Sequence, residues 1–146
     1  MPQEFSAGGV LVRRMRGRWW LAAIRPGGRP EGVWALPKGV VDRGEEPATT
    51  ALREVQEETG LAGELDAKLG DVRYVYTRGG RRVFKVVSFY LLRYRSGRIG
   101  NLPRALAFEV DEARWLPLAD APRLLAYGGE RDMAAEAASR LAEDAL

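Results

Sequence analysis

The chain contains no cysteine and no histidine. The first absence excludes disulfides, thiolate nucleophiles and thiolate-bound metals. The second excludes imidazole-ligated zinc and every triad with an imidazole base. A general base must then be a carboxylate, with Lys or Tyr the remaining options. Any metal must be held through oxygen, which favours magnesium, manganese or calcium. Lysine is also scarce: Lys38, Lys68 and Lys85 are the only three among 23 basic residues. No apolar run reaches membrane-spanning length, and the start MPQEFSAGGVLVRR lacks the basic, apolar and small-residue order of a secretion signal. A cytoplasmic protein without a membrane partner is the expectation.

What is present fits one ordinary domain, residues 1–146. Hydrophobic residues make up 46% and charged residues 29%, enough to build a core and a solvated surface. The formal net charge is +3 and the cationic side chains are nearly all guanidinium. Guanidinium is a good planar partner for phosphate, which suits an anionic substrate. The Arg bias across the whole chain is better explained by overall composition, and only arginines near a site call for a role.

Residues 4–14 and 18–25 are rich in Ala, Val, Leu, Ile and Trp and predict two strands around a basic tip at 15–17. Ala7-Gly8-Gly9 predicts a close backbone approach or a bulge within the first. The tip arginines Arg13, Arg14, Arg16 and Arg18 suit solvent better than a ligand. After the loop 26–32, residues 33–36 predict a short strand that delivers Pro37-Lys38-Gly39, with Trp34 packed in the core. Runs at 62–77 and 82–95 flank Gly79-Gly80 and predict a second hairpin. A loop at 96–108, a strand at 110–116 and helices at 117–127 and 130–145 complete the chain. The last helix carries an apolar stripe from Met133 to Ala145. Strands, a helix, more strands and then helices predict a layered α/β domain.

The informative stretch is 36–61, LPKGVVDRGEEPATTALREVQEETGL. Pro47 suits a first helical turn and Gly60 the left-handed position after the last. Ala48, Ala51, Leu52 and Val55 form one side of this helix, whereas Glu54, Glu57 and Glu58, at i, i+3 and i+4, share the other. Acids gathered in the second half of a helix repel one another and oppose its dipole. A divalent cation relieves both penalties. An ordinary solvated acidic face, with Arg53 paired to Glu57, is the competing explanation.

The spacing G-x(5)-E-x(7)-R-E-U-x-E-E-x-G-U, filled by Gly39, Glu45, Arg53, Glu54, Val55, Glu57, Glu58, Gly60 and Leu61, resembles the signature of the Nudix hydrolases. Seven specified residues at about 5–7% each recur by chance on the order of once in 10⁸ starts. The resemblance extends over nearly the whole chain. It implies a Nudix-type α/β/α sandwich with a mixed β-sheet, and hydrolysis of a nucleoside diphosphate linked to another moiety. It also implies Mg2+ or Mn2+ as cofactor. Carried over by position, Glu57, Glu58 and the Gly39 carbonyl would be ligands, and Glu54 a ligand or the base. Arg53 would orient that base, and Glu45 would act through water or as a further ligand. Glu109, six residues before Trp115, matches an additional loop acid of some members, as catalyst or ligand.

The moiety beyond the diphosphate is indicated only by scattered residues. Tyr76 stands where ADP-ribose-cleaving members carry a Pro, and a Tyr in that region resembles the diadenosine-polyphosphate subgroup. Lys38 adjoins the signature, and Lys85 and Phe89 share a strand face; all four are candidate substrate contacts. Dinucleoside polyphosphates are the first expectation and nucleoside triphosphates the second. Removal of diphosphate from RNA 5′ ends and a non-catalytic nucleotide-binding module follow. The expected partner is a nucleotide with a diphosphate linkage, with nucleic acid disfavoured and a monomer or homodimer as the assembly.

Overall fold

The first strand, β1 (Gln3–Met15), is the spine of the molecule. Its residues Ser6 to Val12 are all buried, because it is covered on both faces and paired along both edges. A computed structural model describes residues 1–102 and 109–144. The other strands are β2 (Arg18–Pro26), β3 (Lys38–Val40), β4 (Leu61–Arg78), β5 (Arg81–Gly97) and β6 (Val110–Pro117). The helices are α1 (Pro47–Thr59), α2 (Ala121–Leu124) and α3 (Gly128–Asp144).

The sheet runs β4-β5-β1-β2-β6. One edge of β1 pairs in parallel with β5, from Gln3↔Phe84 to Val12↔Arg93. The other edge is divided: Ser6 to Gly8 pair with β3, and Val12 to Met15 pair with β2, both antiparallel. The two expected hairpins are present. Gly79 and Gly80 both have positive φ, 56° and 77°, the backbone that a tight two-residue hairpin turn requires.

Side chains alternate across β1 and build a core on each face. On one face Leu11 joins Ala22, Val55, Leu61 and Leu92 under α1. On the other, Val10 and Val12 join Leu36, Val87, Phe89, Leu125, Ala134, Ala137 and Leu141 under α2 and α3. The result is an α/β/α sandwich with a mixed sheet, as expected. No helix among the described residues is long and apolar enough to cross a membrane.

Several boundaries differ from expectation. Residues 33–36 do not form a strand: Ala35 makes an isolated bridge to Ile24, and Trp34 one to Leu125, while the ordered strand begins at Lys38. The helix expected over 117–127 contracts to Ala121–Leu124, since Leu125 turns extended to meet Trp34. The final helix starts at Gly128 rather than 130. Trp34 is buried at 7% exposure, in keeping with its core assignment. The loop expected at 96–108 begins later, because β5 continues to Gly97. Its residues 103–108, and Ala145 of the apolar stripe, lie outside the described residues.

Candidate active site

Helix α1 begins at Pro47 and ends at Thr59, capped by Gly60, whose φ of 84° closes the last turn while its N–H donates to the Gln56 carbonyl at 2.9 Å. Ala51 and Val55 are fully buried and fix the helix on the sheet. Burying the Val55 side chain contributes roughly 1.5–3 kcal/mol, and the smaller Ala51 methyl about 0.8 kcal/mol. That leaves Arg53, Glu54, Glu57 and Glu58 turned towards β3.

Arg53 threads the acids together. Its Nε donates to Glu45 at 2.9 Å, its Nη2 also to Glu45 at 3.0 Å, and its Nη1 to Glu54 at 2.9 Å and Glu57 at 3.2 Å. Asp42 lies 3.3 Å from Nη2. Glu45 accepts a further bond from the Thr50 hydroxyl at 2.5 Å. These bonds, Arg53 first, hold the Glu45 carboxyl down at about 2. The guanidinium is correspondingly held above its usual range by Glu45.

Glu54 and Glu58 behave in the opposite way. Burial, followed by the Glu54 carboxylate beside it, pushes Glu58 up to about 9. Burial also raises Glu54. Two carboxyls packed together away from bulk water repel each other when both are ionised, a penalty that a bound cation would relieve. Among the described residues no three acids converge to ligating distance, since Arg53 stands within the cluster.

This donor set suits a hard divalent cation: it is all oxygen, and it has charge to be neutralised. Gly39 adds a second indication. A Cβ on Gly39 would lie 2.2 Å from the carboxyl carbon of Glu54, so the backbone and this acid approach closely, and a side chain at 39 would displace the carboxyl.

Beside the helix lies a cleft of about 980 Å³. Its lining includes Lys38, Glu58 and Glu130, Tyr74, Tyr76 and Arg78 of β4, Lys85 and Phe89 of β5, and Tyr127 and Glu109. The sequence candidates Lys38, Glu58, Tyr76, Lys85, Phe89 and Glu109 are thereby brought to one cavity. Gly39, Glu45, Arg53, Glu54 and Glu57 stand on the α1–β3 side and do not line it. Phe89 is buried at 1% exposure, its ring packed where a Gly8 side chain would otherwise point. Lys85 is paired with Glu4 at 2.9 Å, and Tyr76 donates its hydroxyl to the same acid at 2.9 Å. Of the acids Glu109, Asp111 and Glu112, only Glu109 faces the cleft. Asp111 pairs with Arg25 at 3.3 Å, and Glu112 pairs with Arg114 at 2.7 Å.

Glu4, Thr50 and Glu130 escaped the sequence reasoning. Thr50 carried a faint signal, as a polar residue on the buried side of α1. The other two gave none, because their partners are distant in the chain.

An α/β/α sandwich whose central strand faces an acidic, arginine-threaded helix defines the class. The chain belongs to the NUDIX domain family, whose model matches residues 3–137. A Mycobacterium tuberculosis (strain CDC 1551 / Oshkosh) protein that carries the name mutator protein MutT4 is 39% identical over 135 residues, covering 90% of this chain and 53% of that protein. An 8-oxo-(d)GTP phosphatase of Mycolicibacterium smegmatis is 35% identical over 98 residues, 67% of this chain and 28% of that one. The chain thus spans about half the length of the first relative and little over a quarter of the second. A solved MutT NUDIX hydrolase from Burkholderia pseudomallei superposes with a TM-score of 0.69 at 26% identity, over 93% of this chain and 98% of that one.

Proposed function

We propose that this chain is a divalent-cation-dependent hydrolase that cleaves a diphosphate linkage in a nucleotide. The observation that carries the reading is the placement of Glu54 against Gly39 and of Glu58 on the adjoining Lys38 amide, an all-oxygen, acidic set next to a cleft of nucleotide size. Glu57, Glu58 and the Gly39 carbonyl would hold Mg2+ or Mn2+, with Glu45 and Glu109 as further carboxylates. When bound, the cation would neutralise charge on phosphate oxygens and acidify water.

The chain's own residues supply the rest. Glu54 acts as the base that takes the proton of the attacking water. Arg53, bonded to Glu54 Oε1, fixes that carboxylate and keeps Glu45 and Glu57 from repelling it. Lys38 and Lys85 offer cationic donors to phosphate along the cleft, and Tyr76 supplies aromatic surface for a base, while Phe89, buried at 1% exposure, packs as core.

For the substrate we favour dinucleoside polyphosphates. The cleft is at the large end of the range for small-molecule sites. It also has aromatic surface on two sides, Tyr74 at 39% exposure on β4 and Tyr127 at 37% before α3. Nucleoside triphosphates are the second reading, favoured by the MutT and 8-oxo-(d)GTP names of the relatives.

The test is turnover with Mg2+ on diadenosine polyphosphates, nucleoside triphosphates, ADP-ribose and 5′-triphosphate RNA, for wild type, Glu54→Gln and Glu57→Gln. Each substitution is expected to lower kcat about 10²-fold or more without unfolding the chain. Wild-type turnover in both variants would refute the reading. Preference for triphosphates over dinucleotides would decide for the second substrate.

A further inference from the structure

Glu130 is the most deeply buried charged side chain among the described residues, at 4% exposure, and the reaction outlined above gives it no task. It sits in the first turn of α3, where the helix dipole favours an acid. Its Oε1 accepts the Leu36 N–H at 2.7 Å, and its Oε2 accepts the Lys38 ammonium at 2.6 Å. Leu36 lies just before β3 and Lys38 opens it, both more than 90 residues away in the chain. Leu36 itself is fully buried, so its amide needs an acceptor inside the protein.

The linkage continues to the acidic site. The Lys38 N–H donates to Glu58 Oε2 at 3.0 Å, and the next residue is Gly39, whose Cα abuts Glu54. At the other end Glu130 is anchored firmly. Gly129 packs so closely on Val72 of β4 that a Cβ there would lie 2.4 Å away. Arg131 donates to the Leu125 and Ala126 carbonyls, at 3.2 and 3.0 Å. The Ala126 N–H in turn donates to the Trp34 carbonyl at 3.0 Å.

We infer that Glu130 is a positioning residue for the cation site: it fixes residues 36–38 so that the Lys38 amide meets Glu58 and Gly39 meets Glu54. The inference rests on the proposed reading of that site. A carboxylate in this place is costly to bury, and an apolar residue would pack there without that cost. Its use is geometric. One oxygen sets the backbone at Leu36, and the other steadies the Lys38 side chain, which lines the cleft.

The two contacts are separable by substitution. Glu130→Gln keeps an acceptor for the Leu36 amide. Glu130→Asp keeps the charge but withdraws it by one methylene, and Glu130→Ala removes both. Mn2+ affinity, read by electron paramagnetic resonance of free Mn2+, and kcat on the nucleotide panel are measured for all four proteins, with folding checked by circular dichroism. Losing a partner that orients ligands weakens a metal site about 10–100-fold. We therefore expect Glu130→Asp and Glu130→Ala to weaken Mn2+ binding at least about tenfold and to lower kcat, with Glu130→Gln within about threefold of wild type.

Unchanged Mn2+ affinity in folded Glu130→Asp overturns the inference, as does an equal loss in Glu130→Gln. If Glu130→Ala does not fold, the Gln and Asp variants decide. A wild-type chain that takes up Mn2+ but cleaves no nucleotide would defeat the proposed reaction and leave the positioning role to the Mn2+ result. A wild-type chain that binds no Mn2+ would overturn both.

Discussion

The Glu54 carboxyl rests against the Cα of Gly39, where an added Cβ would fall 2.2 Å from its carboxyl carbon. The obstacle is the end of a flexible side chain, so Gly39→Ala can be accommodated by moving Glu54. The expected result is a variant that melts within a few degrees of wild type. Its kcat falls about 10²-fold, since misplacing a reacting group by about 1 Å costs that much. Thermal melting and steady-state kinetics check the two halves together. A normal kcat would mean that the seat of Glu54 is unimportant.

Gly8, which pairs with Lys38 across the β1–β3 ladder, should respond in the opposite way. A Cβ there would meet the Pro37 carbonyl oxygen at 2.4 Å and the Phe89 ring at 2.8 Å, one of them backbone and the other a packed core ring. Neither can give way cheaply. Gly8→Ala is expected to cost about 1–3 kcal/mol of stability, the usual range for overpacking. Chemical denaturation measures it, and a loss below about 0.5 kcal/mol would show that β1 and residue 37 separate easily.

That contrast also bears on what the sequence could disclose. Pro47, Gly60 and the acids between them identify α1 and its two faces, because each residue acts on its own turn of helix. Gly8-Gly9 signalled a close approach, but the neighbour, Pro37, was not legible until β1 was seen pairing with β3. Trp34-Ala35-Leu36 has the composition of a strand and the burial of one. It lacks a continuous partner, and partners are a property of the tertiary fold. The helix expected at 117–127 lost its end for the same reason, when Leu125 paired with Trp34. Glu130 looks like any acid that opens a helix. Its meaning depends on Leu36 and Lys38, which local pattern cannot bring near. The parallel pairing of β1 with β5 was likewise beyond local signals.

Arg53 offers the third prediction. A single guanidinium bonds Glu45, Glu54 and Glu57, with donors in a fixed planar fork. Arg53→Lys retains the charge, but one ammonium on a flexible stem cannot reproduce those three directions. Arg53→Lys and Arg53→Ala should therefore both lower kcat, by about 10²-fold or more, with KM changed much less. Steady-state kinetics at saturating Mg2+ reads the split. Near-complete rescue by Lys would reduce the role of Arg53 to charge alone.

Glu4 carries the pH dependence. Lys85 first, then Tyr76 and Arg78, hold its carboxyl at about 2, below the ordinary 4.5. The folded state therefore binds a proton less readily than the unfolded state. The stabilisation from these bonds is present in full above pH 4.5, and it declines as the pH falls towards 2. Arg78 is 65% exposed, and water screens its share. Glu4→Gln should thus be less stable than wild type by about 1–2 kcal/mol at pH 7. The gap should narrow steadily between pH 5 and pH 2, because wild-type Glu4 loses its charge over that interval while Gln has none to lose. Urea denaturation of both proteins across this range measures the gap directly. A difference that stayed constant down to pH 2 would show that packing at Glu4, rather than its charge, joins β1 to Tyr76, Arg78 and Lys85 in the lining of the cleft.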